Sequence, residues 1–192
     1  MKESILISIL VIIIYIFFIS NKTTLRSVER NGNTILVREG VDMEDSATLL
    51  SELIKSMYTL RDHLVNNKNN YNDMTEYIEL LGKNFSKERT QIYEKDNDSS
   101  LTSYSVNKGE EIVFCLRCKI SHKLHTLNLL TYVGIHEMGH SACPEVGHPP
   151  LFNKIFKFLL EEGVKLKIYE YEDYQKNPIE YCGMKLYSNI LN

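Results

Sequence analysis

The hydrophobic pattern begins with an unbroken apolar run near the N terminus. Residues 4–20, SILISILVIIIYIFFIS, carry no charge. A helix of this length rises roughly 25 Å, at the short end of what a bilayer core requires. No small-residue cleavage site follows the run. We therefore predict an uncleaved transmembrane anchor over residues 1–20 in a single-pass membrane protein, with a cleaved signal peptide as the alternative.

Beyond residue 20 the pattern turns polar and then becomes helical. Residues 21–40 hold one short apolar island and predict a linker or an edge strand. Between residues 46 and 65, apolar positions recur at three- and four-residue steps, which predicts an amphipathic helix. A short helix is predicted over residues 74–81, and the polar residues 82–102 are predicted to be irregular.

The second half of the chain predicts a hairpin followed by helices. Residues 104–117 are typical of two short strands around a glycine-containing turn. A helix is predicted over residues 124–142, and a further helix begins at Pro149 or Pro150. These elements predict one domain over residues 41–192. The predicted fold is α+β and mostly helical, with a small β-hairpin or sheet and C-terminal helices behind the N-terminal transmembrane helix.

Composition argues against a nucleic-acid partner. The chain has 22 Lys and Arg against 25 Asp and Glu, a formal net charge of -3 and a pI near 6.1. A protein that holds DNA or RNA by charge usually presents a basic face or stripe. We therefore expect no nucleic-acid partner.

The four cysteines do not form a recognisable disulfide framework. Cys115 and Cys118 form a C-x-x-C pair, whereas Cys143 and Cys182 are scattered. Buried thiols are the leading interpretation, and a zinc site built from all four thiolates is the alternative.

The residues typical of catalytic chemistry are concentrated in one stretch, residues 135–152, IHEMGHSACPEVGHPPLF. On a helix, His136 and His140 point the same way one turn apart, so both imidazoles can bind one metal ion. Glu137 is displaced about 100° around the helix and can lean over a water on that ion as a general base. The H-E-x-x-H spacing therefore predicts a hydrolytic zinc site.

A catalytic zinc site needs a third protein ligand and an open fourth position for water. His148 is the expected third ligand, because the chain can turn back after the helix and before the next one begins. Glu161 and Glu162, on that next helix, are the alternatives. The metzincin pattern is excluded, because Cys143 and Val146 stand where it requires Gly and His.

HEMGH followed by GHPPLF resembles the WLM and SprT-like (Wss1-type) zinc metallopeptidases. Together with TSYSVNKGEEIVFCLR, FLLEEGVKLKIY and NPIEYCG, this stretch is similar to the small WLM-like predicted metallopeptidases of giant DNA viruses. The resemblance implies a minimal zincin-like metallopeptidase fold in which His136, His140 and His148 bind Zn²⁺ and Glu137 is the catalytic base. It also suggests that the hairpin of residues 103–117 forms the upper rim of the cleft, where an extended peptide can pair as an added strand.

Two residues near the C terminus are candidates for supporting roles. Tyr181 can stabilise an oxyanion through its hydroxyl, with structural packing as the alternative. Glu180 can orient a ligand histidine, and a surface carboxylate is the alternative.

The predicted function is a membrane-anchored zinc metallopeptidase that hydrolyses peptide bonds in a protein or peptide substrate. Residues 4–20 would hold it in an internal or virion membrane. Two alternatives retain the metal site: a catalytically weak zinc-binding structural protein of a viral or internal membrane, and a DNA–protein crosslink protease.

Overall fold

The computed structural model describes residues 24–30, 33–96 and 102–192, together with Ile12. The predicted membrane anchor, residues 4–20, lies outside these residues except for Ile12. Across the part of the chain that is described, no helix combines the length and the apolar character needed to cross a bilayer. This finding contradicts the predicted N-terminal transmembrane helix and the membrane localisation that followed from it, and both predictions are withdrawn.

Two described helices come closest to these requirements, but each of them lacks one. The longest described helix, α1 (Met43–Asn66), has 24 residues, but it buries one face and carries charged residues on the other. The helix buried over most of its surface, α3 (Leu127–Ala142), has only 16 residues, fewer than the roughly 20 that a span requires.

The fold is α+β, but it contains more sheet than the mostly helical prediction allowed. Five strands form a mixed sheet in the order β1-β2-β3-β5-β4. The pairs β1–β2 and β4–β5 are antiparallel, and β3 pairs in parallel with both β2 and β5. The strands are β1 (Leu25–Arg30), β2 (Asn33–Arg38), β3 (Gln91–Glu94), β4 (Tyr104–Val106) and β5 (Glu111–Phe114).

Strand β3 lies within residues 82–102, the polar segment for which the sequence predicts irregular structure. Its last residue, Glu94, is nevertheless fully buried, because its carboxylate accepts hydrogen bonds from the backbone N–H and Nε of Arg38 and from Arg117. Arg117 also forms an ion pair with Asp42 at 2.8 Å. A buried carboxylate with these partners is compatible with a central strand, although its sequence suggests a loop.

The helices pack around α3, which lies in the middle of the domain. It contacts α1, α2 (Thr75–Asn84) and α4 (Pro150–Lys165). Two glycines permit this close packing. A Cβ at Gly134 would lie 3.2 Å from Leu53 of α1, and a Cβ at Gly139 would lie 3.0 Å from Phe152 of α4. The predicted helices at residues 46–65, 74–81 and 124–142 are confirmed to within a few residues at each end.

A small hairpin near the C terminus is joined covalently to the main sheet. Strands β6 (Ile179–Tyr181) and β7 (Met184–Leu186) are antiparallel. A disulfide joins Cys182, in the turn of this hairpin, to Cys115, directly after β5. The buried-thiol interpretation is therefore wrong for these two cysteines, and the four-thiolate zinc alternative is wrong as well. Cys143 is a buried free thiol, and Cys118 is free and partly exposed.

Candidate metal centre

Helix α3 and the loop that follows it bring three histidines together. One ring nitrogen from each of His136, His140 and His148 lies within 4.8 Å of the other two, and Nε2 of His148 is 3.0 Å from Nε2 of His136. Zinc–nitrogen bonds of about 2.0–2.1 Å place two ligands of a tetrahedral ion roughly 3.4 Å apart. The spacing of the three imidazoles therefore fits one small divalent cation.

The first turn of α4 supports the three rings. Phe152 is buried, and its ring lies 4.5 Å from that of His140, 4.7 Å from that of His148 and 4.9 Å from that of His136, centroid to centroid. The Pro149–Pro150 pair starts α4 directly after His148, so Phe152 follows the third histidine by one helical turn. Phe152 is the last residue of the GHPPLF segment.

The alternative glutamate ligands do not join the cluster. Glu162 is buried, and its two carboxylate oxygens accept hydrogen bonds from the Tyr71 hydroxyl at 2.7 Å and from Lys165 Nζ at 2.6 Å. Among the described residues, the group able to hold a metal ion consists of the three histidines, without Glu161 or Glu162.

Burial keeps the imidazoles of His136 and His140 neutral, which is the form that binds a metal. Burial, with smaller contributions from the neighbouring His140 and His148, lowers the pKa of His136 to about 3. Burial also lowers the pKa of His140 to about 4, with smaller effects from His148 and Lys108. Protonating one ring would place a charge in a poorly solvated cluster of like groups, whereas a shared cation uses all three lone pairs.

Glu137 follows His136 in α3, and its carboxyl group is buried without a full set of hydrogen bonds. The residue is 4% exposed, and its Oε2 has no hydrogen-bond partner among the described residues. Burial raises its pKa to about 8. A buried oxygen without a protein partner usually bonds to a water or a ligand, and a nearby cation would favour the ionised carboxylate. Oε2 of Glu137 is therefore available to a water molecule or a ligand in the cleft.

The three histidines and Glu137 line an open cleft of about 760 Å³. The cleft is lined by residues of the edge strand β4, of α3, of β7 and of the loop after α3. The walls beside the histidines are largely apolar. The residues that contribute to these walls are Tyr104, Ser105, Tyr132, Val133, Val146, Met184 and Leu186.

Tyr181 lines the same cleft and is 2% exposed. Its hydroxyl hydrogen-bonds to the hydroxyl of Ser103, which in turn accepts a hydrogen bond from the backbone N–H of Cys115 at 3.1 Å. Burial raises the pKa of Tyr181 despite the hydrogen bond with Ser103, which lowers it, so the phenol stays protonated. Ser103 was not predicted as a site residue, because a lone serine before a short strand gives no signal in the sequence.

Glu180 does not orient a metal ligand. Its carboxylate accepts a hydrogen bond from the backbone N–H of Gly183 in the same hairpin. The histidine that it influences electrostatically is His125, which is outside the metal cluster.

Comparison with known proteins identifies viral relatives. The chain is 35% identical over 187 residues to uncharacterized protein R325 of Acanthamoeba polyphaga mimivirus, covering 95% of this chain and 94% of that protein. Shorter matches of 83 residues link it to uncharacterized protein 136R of Invertebrate iridescent virus 6, at 36% identity over 42% of this chain and 44% of the relative. A similar match, to uncharacterized protein 042R of Invertebrate iridescent virus 3, has 31% identity over 43% of this chain and 50% of the relative.

No protein-family model and no solved structure matches the chain. The resemblance to WLM and SprT-like metallopeptidases therefore stays a prediction from the motifs. The extent and identity of the mimivirus match nevertheless show that the chain belongs to the same protein family as R325 of Acanthamoeba polyphaga mimivirus.

Proposed function

We propose that this protein is a zinc-dependent metallopeptidase. The observation that carries the proposal is the convergence of three histidine nitrogens within 4.8 Å of one another, beside a buried carboxyl whose Oε2 lacks a protein partner. His136, His140 and His148 would hold the ion, and the cleft leaves its remaining side open to water and substrate.

When bound, zinc would supply a Lewis acid that lowers the pKa of a water molecule and polarises a carbonyl group. Glu137 would accept the proton of that water at Oε2 and later donate a proton to the leaving amine, as a single buried carboxyl can do in both directions. Tyr181, held by Ser103, would donate a hydrogen bond from its protonated hydroxyl to the developing oxyanion.

The cleft suits an extended peptide. In the described sheet β4 is the last strand, so one side of its backbone is not paired with another strand of that sheet. Tyr104 and Ser105 of this strand line the cleft, where a peptide can add to the sheet by main-chain hydrogen bonds. The apolar wall formed by Tyr132, Val133 and Leu186 favours a peptide with an apolar side chain close to the cleaved bond.

The experiment that tests this function compares wild type with Glu137→Gln, both loaded with zinc, on casein and on a quenched-fluorescent peptide mixture. Glutamine retains the size of the side chain but cannot accept the proton. The variant should bind one zinc per chain and lose at least about 100-fold in cleavage rate, the low end of the effect of a general base. Glu161→Gln, on the exposed face of α4, is the matched control and should cleave like wild type.

Two outcomes would contradict the proposal. One is undiminished cleavage by Glu137→Gln, which would remove the proposed base. The other is a zinc-loaded wild type that cleaves neither substrate, which would favour the alternative of a zinc-binding protein without turnover.

A further inference from the structure

The third histidine of the cluster is held less firmly by its own segment than the other two. His136 and His140 lie on α3, which is packed on three sides by helices. His148 is exposed and lies in the loop between α3 and α4, where residues 144–147 are exposed and belong to neither a helix nor a strand. A ligand on such a segment needs support from another part of the fold if it is to be in place before the metal binds.

The side chain of Lys108 supplies contacts of this kind. Its Nζ donates a hydrogen bond to the carbonyl oxygen of Cys143 at 2.8 Å and another to the carbonyl oxygen of Glu145. These two carbonyls flank Pro144, at the point where the chain leaves α3 and turns towards His148. A single ammonium group therefore fixes the start of the loop that carries the third ligand.

Lys108 is itself held rigidly in the turn between β4 and β5. Its φ is +60°, in the left-handed region that a lysine rarely adopts, and its carbonyl accepts a hydrogen bond from Arg89 Nη1 at 3.2 Å. The next residue, Gly109, lies directly against α3: a Cβ there would be 2.6 Å from Ser141 Oγ. The turn is thus docked on the last turn of α3, and the lysine extends from it across to the loop.

From these contacts we infer that Lys108 is a positioning residue for the metal site, which fixes the loop so that His148 meets His136 and His140. This inference rests on the proposed function, because it assigns the residue a role towards the same metal ion. Lys108 also belongs to the hairpin whose edge strand β4 lines the cleft, so it connects the peptide-binding edge with the third ligand.

A purely electrostatic effect of Lys108 would change metal affinity in the opposite direction to a positioning effect. The positive charge of Lys108 is close enough to disfavour protonation of His140, and the same repulsion acts on a bound cation. If charge dominated, removing it would make zinc bind more tightly. If positioning dominates, removing it makes zinc bind more weakly, so the direction of the change separates the two roles.

The test measures zinc affinity of the full chain by competition with a chromogenic chelator, for wild type and for Lys108→Met. Partners that orient metal ligands typically change affinity by 10- to 100-fold, and we expect zinc to bind about 10-fold more weakly to the variant. The visible spectrum of the Co²⁺-substituted variant should also change, because the third nitrogen would be lost or displaced. Lys108→Arg, which retains the charge and the donors, should restore most of the affinity, and Lys157→Met on the exposed face of α4 should match wild type.

A double-mutant cycle separates positioning from general destabilisation. In a His148→Ala background, Lys108→Met should cause little further loss of zinc affinity, because the ligand through which it acts is already absent. If Lys108→Met does not fold, Lys108→Gln, with a polar donor and no charge, replaces it in the same measurements.

The possible outcomes are distinct. Unchanged or tighter zinc binding by the Lys108 variant, or an equal loss in both backgrounds, would overturn the inference while the proposed function stands. A folded wild type that binds no zinc would overturn the proposed function and this inference with it.

Discussion

Nε2 of His148 lies 3.0 Å from Nε2 of His136, although the two residues are separated by twelve positions and by the end of a helix. Two imidazole nitrogens approach this closely when they share a proton or face a common ligand. Both a hydrogen bond between neutral rings and a shared metal ion fit this distance, and the nitrogen of His140, within 4.8 Å of both, favours the shared ion. This pair of atoms distinguishes a three-histidine site from a helix that carries two incidental histidines.

The first prediction concerns the identity of the third ligand. His148→Ala should weaken zinc binding by more than about 100-fold, because losing a direct ligand should cost more than losing one of its outer-shell partners. Glu162→Gln should leave zinc affinity unchanged, because the Glu162 carboxylate is occupied by Tyr71 and Lys165. Chelator competition on both variants checks this prediction. The reverse pattern, with zinc lost only in Glu162→Gln, would assign the third ligand to α4.

The second prediction concerns pH and the buried carboxyl of Glu137. In the metal-free protein its pKa is raised from an ordinary value of 4.5 to about 8 by burial. Between these two pH values the folded state binds more protons at this group than the unfolded state does. Its contribution to the free energy of unfolding is therefore fully present below pH 4.5 and is lost as the pH rises towards 8.

Glu137→Gln removes this dependence. Relative to wild type, the chelator-treated variant should become progressively more stable in urea denaturation between pH 5 and pH 8. Glu161→Gln, at an exposed position, is the control and should show no such trend. A stability difference between wild type and Glu137→Gln that is the same at both pH values would contradict the assignment of a raised pKa to Glu137.

The third prediction concerns the Cys115–Cys182 disulfide, which closes a separation of 67 residues and ties the Tyr181 hairpin to the sheet. On the loop-entropy model, a crosslink of this span stabilises the folded state by roughly 4 kcal/mol. The double variant Cys115→Ser with Cys182→Ser should lose stability of that order in urea denaturation. It should also cleave more slowly, because Tyr181 is no longer held at the cleft.

Cys118→Ser, which alters a free thiol, is the control for this experiment. Wild type treated with a reductant should behave like the double variant, since both lack the same crosslink. If the double variant had the denaturation midpoint of wild type, the crosslink would have no role in holding the hairpin in place.

The parts of the fold that were predictable are those determined by local pattern. Helices α1 and α3 form where the hydrophobic periodicity predicts them, a turn forms at Gly109, and α4 begins at Pro150. Each of these signals depends only on residues that are neighbours in the sequence. The H-E-x-x-H spacing likewise places His136 and His140 on one side of α3, because four residues make about one helical turn.

The remainder depends on contacts between residues far apart in the sequence. The buried Glu94 of strand β3 is paired with Arg38 and Arg117, and neither arginine is adjacent to it in sequence. The disulfide is one of several pairings that four cysteines allow. Ser103 supports Tyr181 across 78 positions, and Lys108 supports the His148 loop across 35 or more positions. No local signal in the sequence could indicate these contacts.

The central claim is that one zinc ion is bound by His136, His140 and His148. X-ray absorption at the zinc edge of the purified full chain, with the zinc content measured on the same sample, tests it most directly. A site of three histidines predicts one zinc per chain, with three imidazole nitrogens at about 2.0–2.1 Å and one oxygen in the remaining position. A folded protein that takes up no zinc, or a zinc shell that contains sulfur or fewer than three imidazoles, would contradict it.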